Sequence, residues 1–416
     1  MASILVVSKE GDGVPLALRL AQEGHICKMH IKDSRAKHSL KGYKNPQVLS
    51  KLQMVEQFDL VLFDMVGLGD LAEKLKSEGR TVLGGGAIND KLELDRAYGS
   101  KVCSTLTKLT IPPTIQVETK EDLLKALEDD KPKVIKPDNN KSTTLTLVGG
   151  KNNDTLRTIV NKFDDLCPCI IQDKIDGVEV STEGWFNGRE FTAFNHTIEY
   201  KRLMEDDHGP QTGCMGNIVW SCGEDELVKQ ALLPLTALLR KTDYIGPIDV
   251  NCIVNEDKAY FLEYTARFGY DAIQAYTELV RGGLFEFLWS VATQGPMPRF
   301  SEDYAIAVRM SMPPYPTKVG AEKNEGVKVL DVTEGAKNHL YLADVQMNEN
   351  EEVLAGIDGV IGCATARGRT IKEVQKRALR TVREAVIHPD VQYRTDIGRN
   401  VDERIATLKT WEWLDA

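Results

Sequence analysis

Between Ile4 and Val82 short apolar runs recur with helical or polar stretches between them. That alternation restricts the first part of the chain to a parallel sheet with helices on its faces. The runs are 4–7, 27–31, 60–63 and 81–83, and residues 15–22 read as a first helix in which Leu16, Leu18 and Leu20 mix with alanines. The opening run Ile4-Leu5-Val6-Val7 is short and has no basic flank, so it reads as a buried strand and not as a signal peptide. The loop after it, Ser8-Lys9-Glu10-Gly11-Asp12-Gly13, lacks Gly-x-Gly-x-x-Gly, which argues against a dinucleotide site there.

A chain of 416 residues exceeds one hydrophobic core and implies two to four packed units. The net charge of −10 argues against a nucleic-acid-binding face while leaving room for a local basic pocket. No apolar stretch is long enough to span a bilayer. The eight cysteines are scattered apart from Cys167-Pro168-Cys169, and the histidines are dispersed, so no zinc set forms. Free thiols in a reducing cytoplasm follow as the expectation.

A second unit begins near Ile111-Pro112-Pro113. Residues 120–127 read as a helix, Val134-Ile135-Lys136-Pro137 as a strand closed by proline, and 143–148 as another strand. Strands at 169–172 and 180–186 follow, the second turning at Asn187-Gly188. The remainder offers a helix over 225–239, strands over 248–254 and 259–264, strand-rich sequence from 327 to 365, and a last long helix over 371–386.

Chemistry concentrates in four places. Asp249 and Glu263 flank the turn Asn255-Glu256-Asp257-Lys258. A hairpin centred on Glu256 would set these carboxylates directly opposite each other, with Asn251 and Thr265 on the same face. Such a set suits Mg²⁺, although a hairpin whose acids simply face water has the same sequence. Lys136 at a strand end, followed by Asp138-Asn139-Asn140-Lys141-Ser142-Thr143-Thr144, offers an ammonium and small donors to phosphates, or else a solvated turn. Gln172-Asp173-Lys174-Ile175 leads into a turn ending at Glu179, a segment able to read an adenine edge and ribose hydroxyls, or an ordinary surface turn. Lys201-Arg202 precedes Gly209-Pro210-Gln211-Thr212-Gly213-Cys214-Met215-Gly216, whose glycines permit close approach to a ligand or else a flexible loop.

Taken in order, these motifs resemble the ATP-grasp layout, and most closely the phosphoribosylamine–glycine ligase family. The Gly-Pro-x-Thr-Gly-x-Met-Gly signature at 209–216, the upstream Lys-Arg pair, Glu263-Tyr264-x-x-Arg267-Phe268-Gly269 and Arg394-Thr395-Asp396-Ile397-Gly398 carry the resemblance, which runs nearly end to end. It implies an α/β fold: an N-terminal parallel-sheet domain over 1–104, an ATP-grasp small subdomain over 105–190, a large subdomain over 191–325, and a mixed C-terminal domain over 326–416. It also implies an ATP-dependent carboxylate–amine ligase working through an acyl phosphate. Lys136 and less securely Lys101 would contact ATP phosphates with Ser142 and Thr143. Gln172, Asp173, Lys174 and Ile175 would form the adenine hinge, and Glu179 would bind ribose. Asp249, Glu263 and Asn251 would hold Mg²⁺ or Mn²⁺. Arg267 would stabilise charge in the transition state beside Lys201 and Arg202, while Gly209, Pro210, Thr212, Gly213, Met215, Gly216 and Asp271 would face substrate. The partners implied are a glycine-like carboxylate and a small amine, with no nucleic acid and no membrane.

The chain departs from the family where the amine is held. Gly-Gly-Arg-Glu-His is replaced by Lys9-Glu10-Gly11-Asp12-Gly13, and Pro-Glu-Ala-Pro by Asp64-Met65-Val66-Gly67-Leu68-Gly69. The phosphate loop looks more like the serine-rich loop of D-alanine–D-alanine ligases, and the metal-site asparagine falls at Thr265. Three expectations stand side by side: a glycine ligase acting on phosphoribosylamine, a ligase with a changed amine acceptor, or a non-catalytic ATP-binding relative. Retention of Lys136, Glu179, Asp249, Glu263 and Arg267 argues against the last.

Overall fold

The computed structural model describes residues 1–129, 131–137 and 146–415. Its first unit is a five-stranded parallel sheet in the order Gln47–Val48, Ile26–Ile31, Ser3–Ser8, Leu60–Phe63, Val82–Leu83. Both faces of the central strand are covered. Ile4 and Val6 pack with Val14, Ala17 and Leu20 of the Val14–Gln22 helix, while Leu5 and Val7 pack with Phe63, Ala72 and Leu75. Double coverage is why this strand reads as an unbroken apolar run.

A smaller antiparallel sheet follows, ordered Thr114–Val117, Cys169–Asp173, Lys133–Pro137, Leu147–Val148, with a separate core built from Leu123, Leu127, Ile135, Leu156 and Val160. The third sheet has eight strands: Ala259–Thr265, Gly246–Val254, Val178–Phe186, Phe191–Glu199, Gly216–Cys222, Tyr304–Ser311, Val360–Gly368 and Leu340–Leu342. Its longer strands present apolar residues to one face and a polar row to the other. Among the described residues no helix is long and apolar enough to cross a membrane.

Several expectations need correction. The helix expected over 225–239 is broken into Glu226–Ala231, a short 3₁₀ turn Leu233–Leu235 and Thr236–Lys241, because Pro234 cannot donate to the helical ladder. The strand expected over 143–148 is described only as Leu147–Val148; its first residues lie outside the described chain. The boundaries at 190 and 325 also move. Val178–Phe186 belongs to the large sheet, and the Tyr304–Ser311 strand pairs directly with Val360–Gly368, so the C-terminal segment extends the same sheet.

Candidate active site

The acidic hairpin is turned by two residues, Glu256 and Asp257. Asn255 closes it, its N–H donating to the Lys258 carbonyl at 2.9 Å and its Oδ1 accepting from Asp257 N and Lys258 N. The centre therefore falls between Glu256 and Asp257, one step from the expected register. A bulge at Leu262 adds a second step, and Asp249 pairs with Thr265 while Asn251 pairs with Glu263. The expected direct opposition of Asp249 and Glu263 is thus corrected. Two single shifts restore the parity, so Asp249, Asn251, Glu263 and Thr265 still share one face.

Across Gly246–Val254 that face continues onto Val178–Phe186, where Glu183 stands opposite Asp249 and Ser181 opposite Asn251. Asn195 and Thr197 extend the two rows onto the next strand. Asp249 and Glu183 are buried, and Asp249 Oδ1, Ser181 Oγ and Asn195 Oδ1 make no hydrogen bond of ordinary geometry. Burial first, and then Glu183 and Glu199, push the Asp249 carboxyl well above its usual range. Glu183 is pushed up to about 8, again chiefly by burial, although Trp185 Nε1 donates to it at 3.0 Å. Buried carboxylates side by side with unfilled acceptors fit a divalent cation, which would supply the missing positive charge.

The cations stand at the open end of these rows. Lys201 Nζ lies 2.9 Å from Glu179 Oε1 and 3.3 Å from Glu199 Oε2, and these two carboxylates with Glu263 outweigh its partial burial and hold it protonated. Lys136, reaching over from the small sheet, is pushed down by burial, a change Glu263 opposes, and Arg96 and Lys201 are near enough to repel it. Arg96 opens the Arg96–Leu106 helix; Lys101, expected as the second phosphate contact, is exposed further along that helix. Gln172 ends the small sheet beside Thr114, its Nε2 donating to Thr114 Oγ1 at 2.9 Å. The Asp173 carboxylate is ion-paired with Lys133 at 2.6 Å, and the N–H groups of Asp173 and Lys174 donate to the Pro113 and Pro132 carbonyls. Ile175 follows in the connection to Val178–Phe186. Ser142 and Thr143 lie outside the described residues.

The remaining expected residues divide between the cleft and the scaffold. Arg267 Nε donates to Glu93 Oε1 at 2.9 Å, and Glu93 Oε2 accepts from Ala266 N, which ties the Arg267 segment to the N-terminal unit. Arg202 donates to the Gly209 carbonyl at 2.9 Å within a short hairpin, and Thr212 donates twice to the Lys201 carbonyl. Met215 is buried against Leu203 and Tyr315. Gly216 lies where an added Cβ would sit 2.5 Å from the Ala307 carbonyl, at φ 149°, so its glycine serves packing between strands and not approach to a ligand. Gly213 is exposed and open, and Pro210 lies on the hairpin's exposed edge. Asp271 forms a buried two-point ion pair with Arg309 at 2.9 and 3.0 Å. The hairpin is fastened from behind by Arg394, which reaches Asp396, Asp207 and the Arg202 carbonyl. Sequence reasoning missed Glu183, Glu199 and Arg96. Glu179 and Glu183 lie four apart on one strand, and that spacing was the available signal for Glu183.

The three sheets, with Lys136 on the small one and a carboxylate row on the large one, have the ATP-grasp fold. Residues 106–272 match the family model of the phosphoribosylglycinamide synthetase ATP-grasp (A) domain. The phosphoribosylamine–glycine ligase of Helicobacter pylori is 24% identical over 96% of this chain and 97% of its own length, and that of Corynebacterium ammoniagenes is 24% identical over 80% of each. The Thermotoga maritima phosphoribosylamine–glycine ligase structure superposes with a TM-score of 0.67 at 19% identity, covering 95% of this chain and all of that one. The Thermus thermophilus N5-carboxyaminoimidazole ribonucleotide synthetase gives 0.59 at 14% identity, covering 93% and 99%. The similarity to phosphoribosylamine–glycine ligases thus includes a family-model match over residues 106–272 and runs, at 24% identity, along nearly the whole chain.

Proposed function

We propose that the chain is an ATP-dependent carboxylate–amine ligase that joins a glycine-like carboxylate to a small amine. The observation that carries this reading is the buried face where Asp249 and Glu183 stand side by side, Asp249 Oδ1 making no hydrogen bond of ordinary geometry, overlooked by Lys136 and Lys201. Asp249, Glu263 and Asn251 would hold Mg²⁺, which supplies charge neutralisation and Lewis acidity to the phosphates when bound. Lys136, Lys201 and Arg96 would hold the triphosphate as point charges, and Gln172–Ile175 with Glu179 would seat the nucleoside.

The chemistry needs no protein nucleophile. A substrate carboxylate oxygen attacks the γ-phosphorus of ATP and ADP leaves. The amine nitrogen then attacks the acyl carbon, phosphate departs, and an amide remains. Catalysis consists of alignment and of charge stabilisation, with Arg267 fixed by Glu93 near the reacting end. In this reading the N-terminal unit supplies the amine side and the 105–325 segment clasps ATP.

The relatives' names give glycine and phosphoribosylamine as the family's substrates. A changed amine acceptor is the second reading, favoured by the replaced loops at 9–13 and 64–69. ADP release measured with glycine and phosphoribosylamine against a panel of other amines separates the two. Amine-dependent ADP release supports ligation. No ADP release with any carboxylate and amine, and no nucleotide binding, contradicts it.

A further inference from the structure

We propose that His196, Cys222 and Asp225 form a binding site for a zinc ion on the back of the large sheet. The site is separate from the nucleotide cleft and does not depend on the ligase reading.

The three residues are too far apart in sequence to make a spacing motif, and strand pairing brings them together. His196 lies on Phe191–Glu199, and Cys222 ends Gly216–Cys222. The register sets His196 against Trp220 and Phe194 against Cys222, so His196 and Cys222 are diagonal neighbours on one face. Asp225 follows three residues later, where the chain turns into the Glu226–Ala231 helix packed against Val178–Phe186. Ligand atoms of the three side chains all lie within 4.8 Å of one another. Among the described residues no other group of three such side chains gathers so closely.

Each side chain is set as a metal ligand would be. His196 Nδ1 lies 3.1 Å from Thr182 Oγ1, on the residue directly opposite, which fixes the ring and turns Nε2 towards Asp225. Metal-bound imidazoles carry such an outer partner on their second nitrogen. Asp225 Oδ1 accepts from Val228 N at 3.0 Å, which leaves Oδ2, 2.7 Å from His196 Nε2, as the ligand oxygen. His196 and Asp225 are buried, whereas Cys222 is half-buried and gives an ion a way in.

Zinc bonds of about 2.0–2.3 Å hold neighbouring ligand atoms roughly 3.5 Å apart. The His196–Asp225 contact would open, and the thiol close, by about 1 Å or less. The ion takes the place of the Cys222 proton and of the proton shared by His196 and Asp225; both go to solvent. Water on the Cys222 side supplies the fourth ligand. Nitrogen, sulfur and oxygen together favour zinc over magnesium, which keeps to oxygen ligands. Zinc here would fasten two strands of the sheet to the start of the next helix, a structural role.

The full chain, stripped with a chelator and reloaded, provides the test. Zinc should bind at about one ion per chain with a Kd of about 1 µM or tighter, and should raise the melting temperature by several degrees. Cobalt in its place should give a thiolate-to-metal charge-transfer band in the near ultraviolet. Cys222→Ser, a change at a half-buried position, should abolish the band and weaken zinc about 100-fold, with His196→Gln as the second variant expected to do the same. Cys167→Ser with Cys169→Ser removes a thiol pair whose sulfurs lie 3.9 Å apart, and should change neither readout. Asp249→Asn, on the front face, should also change neither. Weaker zinc binding, binding unmoved by Cys222→Ser, or a band lost with Cys167 and Cys169 or with Asp249 overturns the proposal.

Discussion

The strands Val178–Phe186 and Phe191–Glu199 carry polar residues on both faces, and the two faces treat them in opposite ways. On the back, His196 Nδ1 lies 3.1 Å from Thr182 Oγ1 and Nε2 lies 2.7 Å from Asp225 Oδ2, while Asp225 Oδ1 caps the next helix through Val228 N at 3.0 Å. Each of these groups has a protein partner. On the front, Ser181, Asn195, Asn217, Ser221 and Asp249 each have a buried polar atom that makes no hydrogen bond of ordinary geometry. Protein interiors rarely tolerate such deficits. The back face holds the fold together, and the front face is the one proposed here to be completed by bound Mg²⁺.

Substitutions on the two faces should therefore fail differently. The largest effect belongs to Glu263→Gln, which removes an exposed carboxylate from the proposed metal row. Turnover should fall by about 10³-fold or more, roughly 4 kcal/mol of transition-state stabilisation, with far-UV circular dichroism unchanged. Wild-type ADP release in that variant would erase the distinction. Asp225→Asn should do the reverse. Asparagine still caps the helix, so the change isolates the buried ion pair and should cost about 3 kcal/mol in urea unfolding without lowering kcat. Burial opposes the His196 charge, but Cys222 and Asp225 raise it to about 10. The stability it contributes is complete below pH 6.5 and lost as the pH rises through 10, so variant and wild type should converge above that.

Lys136→Ala should cost less, about 30-fold in kcat/KM for ATP, or roughly 2 kcal/mol, because one of the several charged phosphate contacts proposed would be lost. An unchanged KM for ATP would place the nucleotide elsewhere. The smallest effect concerns protons. Glu183 rises from 4.5 to about 8 in the folded protein, so folding retains a proton that the unfolded chain releases across that window. Stability is lost as the pH climbs from 4.5 to 8, and a bound cation would replace the proton. The rise in melting temperature caused by Mg·ATP analogue should accordingly be a few degrees larger at pH 8 than at pH 6, and Glu183→Gln should flatten the difference.

Residues whose signal is local were legible in the sequence. The first parallel strand, the proline-ended strand bearing Lys136 and the acidic composition of the hairpin all follow from a few neighbouring residues. The hairpin register was not legible: a two-residue turn and the Leu262 bulge each move it by one, and neither leaves a mark in composition. Glu183 was missed because its meaning comes from Asp249, a partner brought alongside only when distant strands pair. Arg96 rather than Lys101 faces Lys136 for the same reason, since helix rotation is set by tertiary packing. The glycine-rich signature misled in the other direction, for Gly216 and Met215 are consumed by strand packing.

Manganese binding followed by electron paramagnetic resonance, with a non-hydrolysable ATP analogue, bears most directly on the front face. Wild-type protein should take up nucleotide-dependent Mn²⁺, and Asp249→Asn should lose it while Asp225→Asn, on the opposite face, keeps it. Equal Mn²⁺ uptake in wild type and Asp249→Asn would contradict the account.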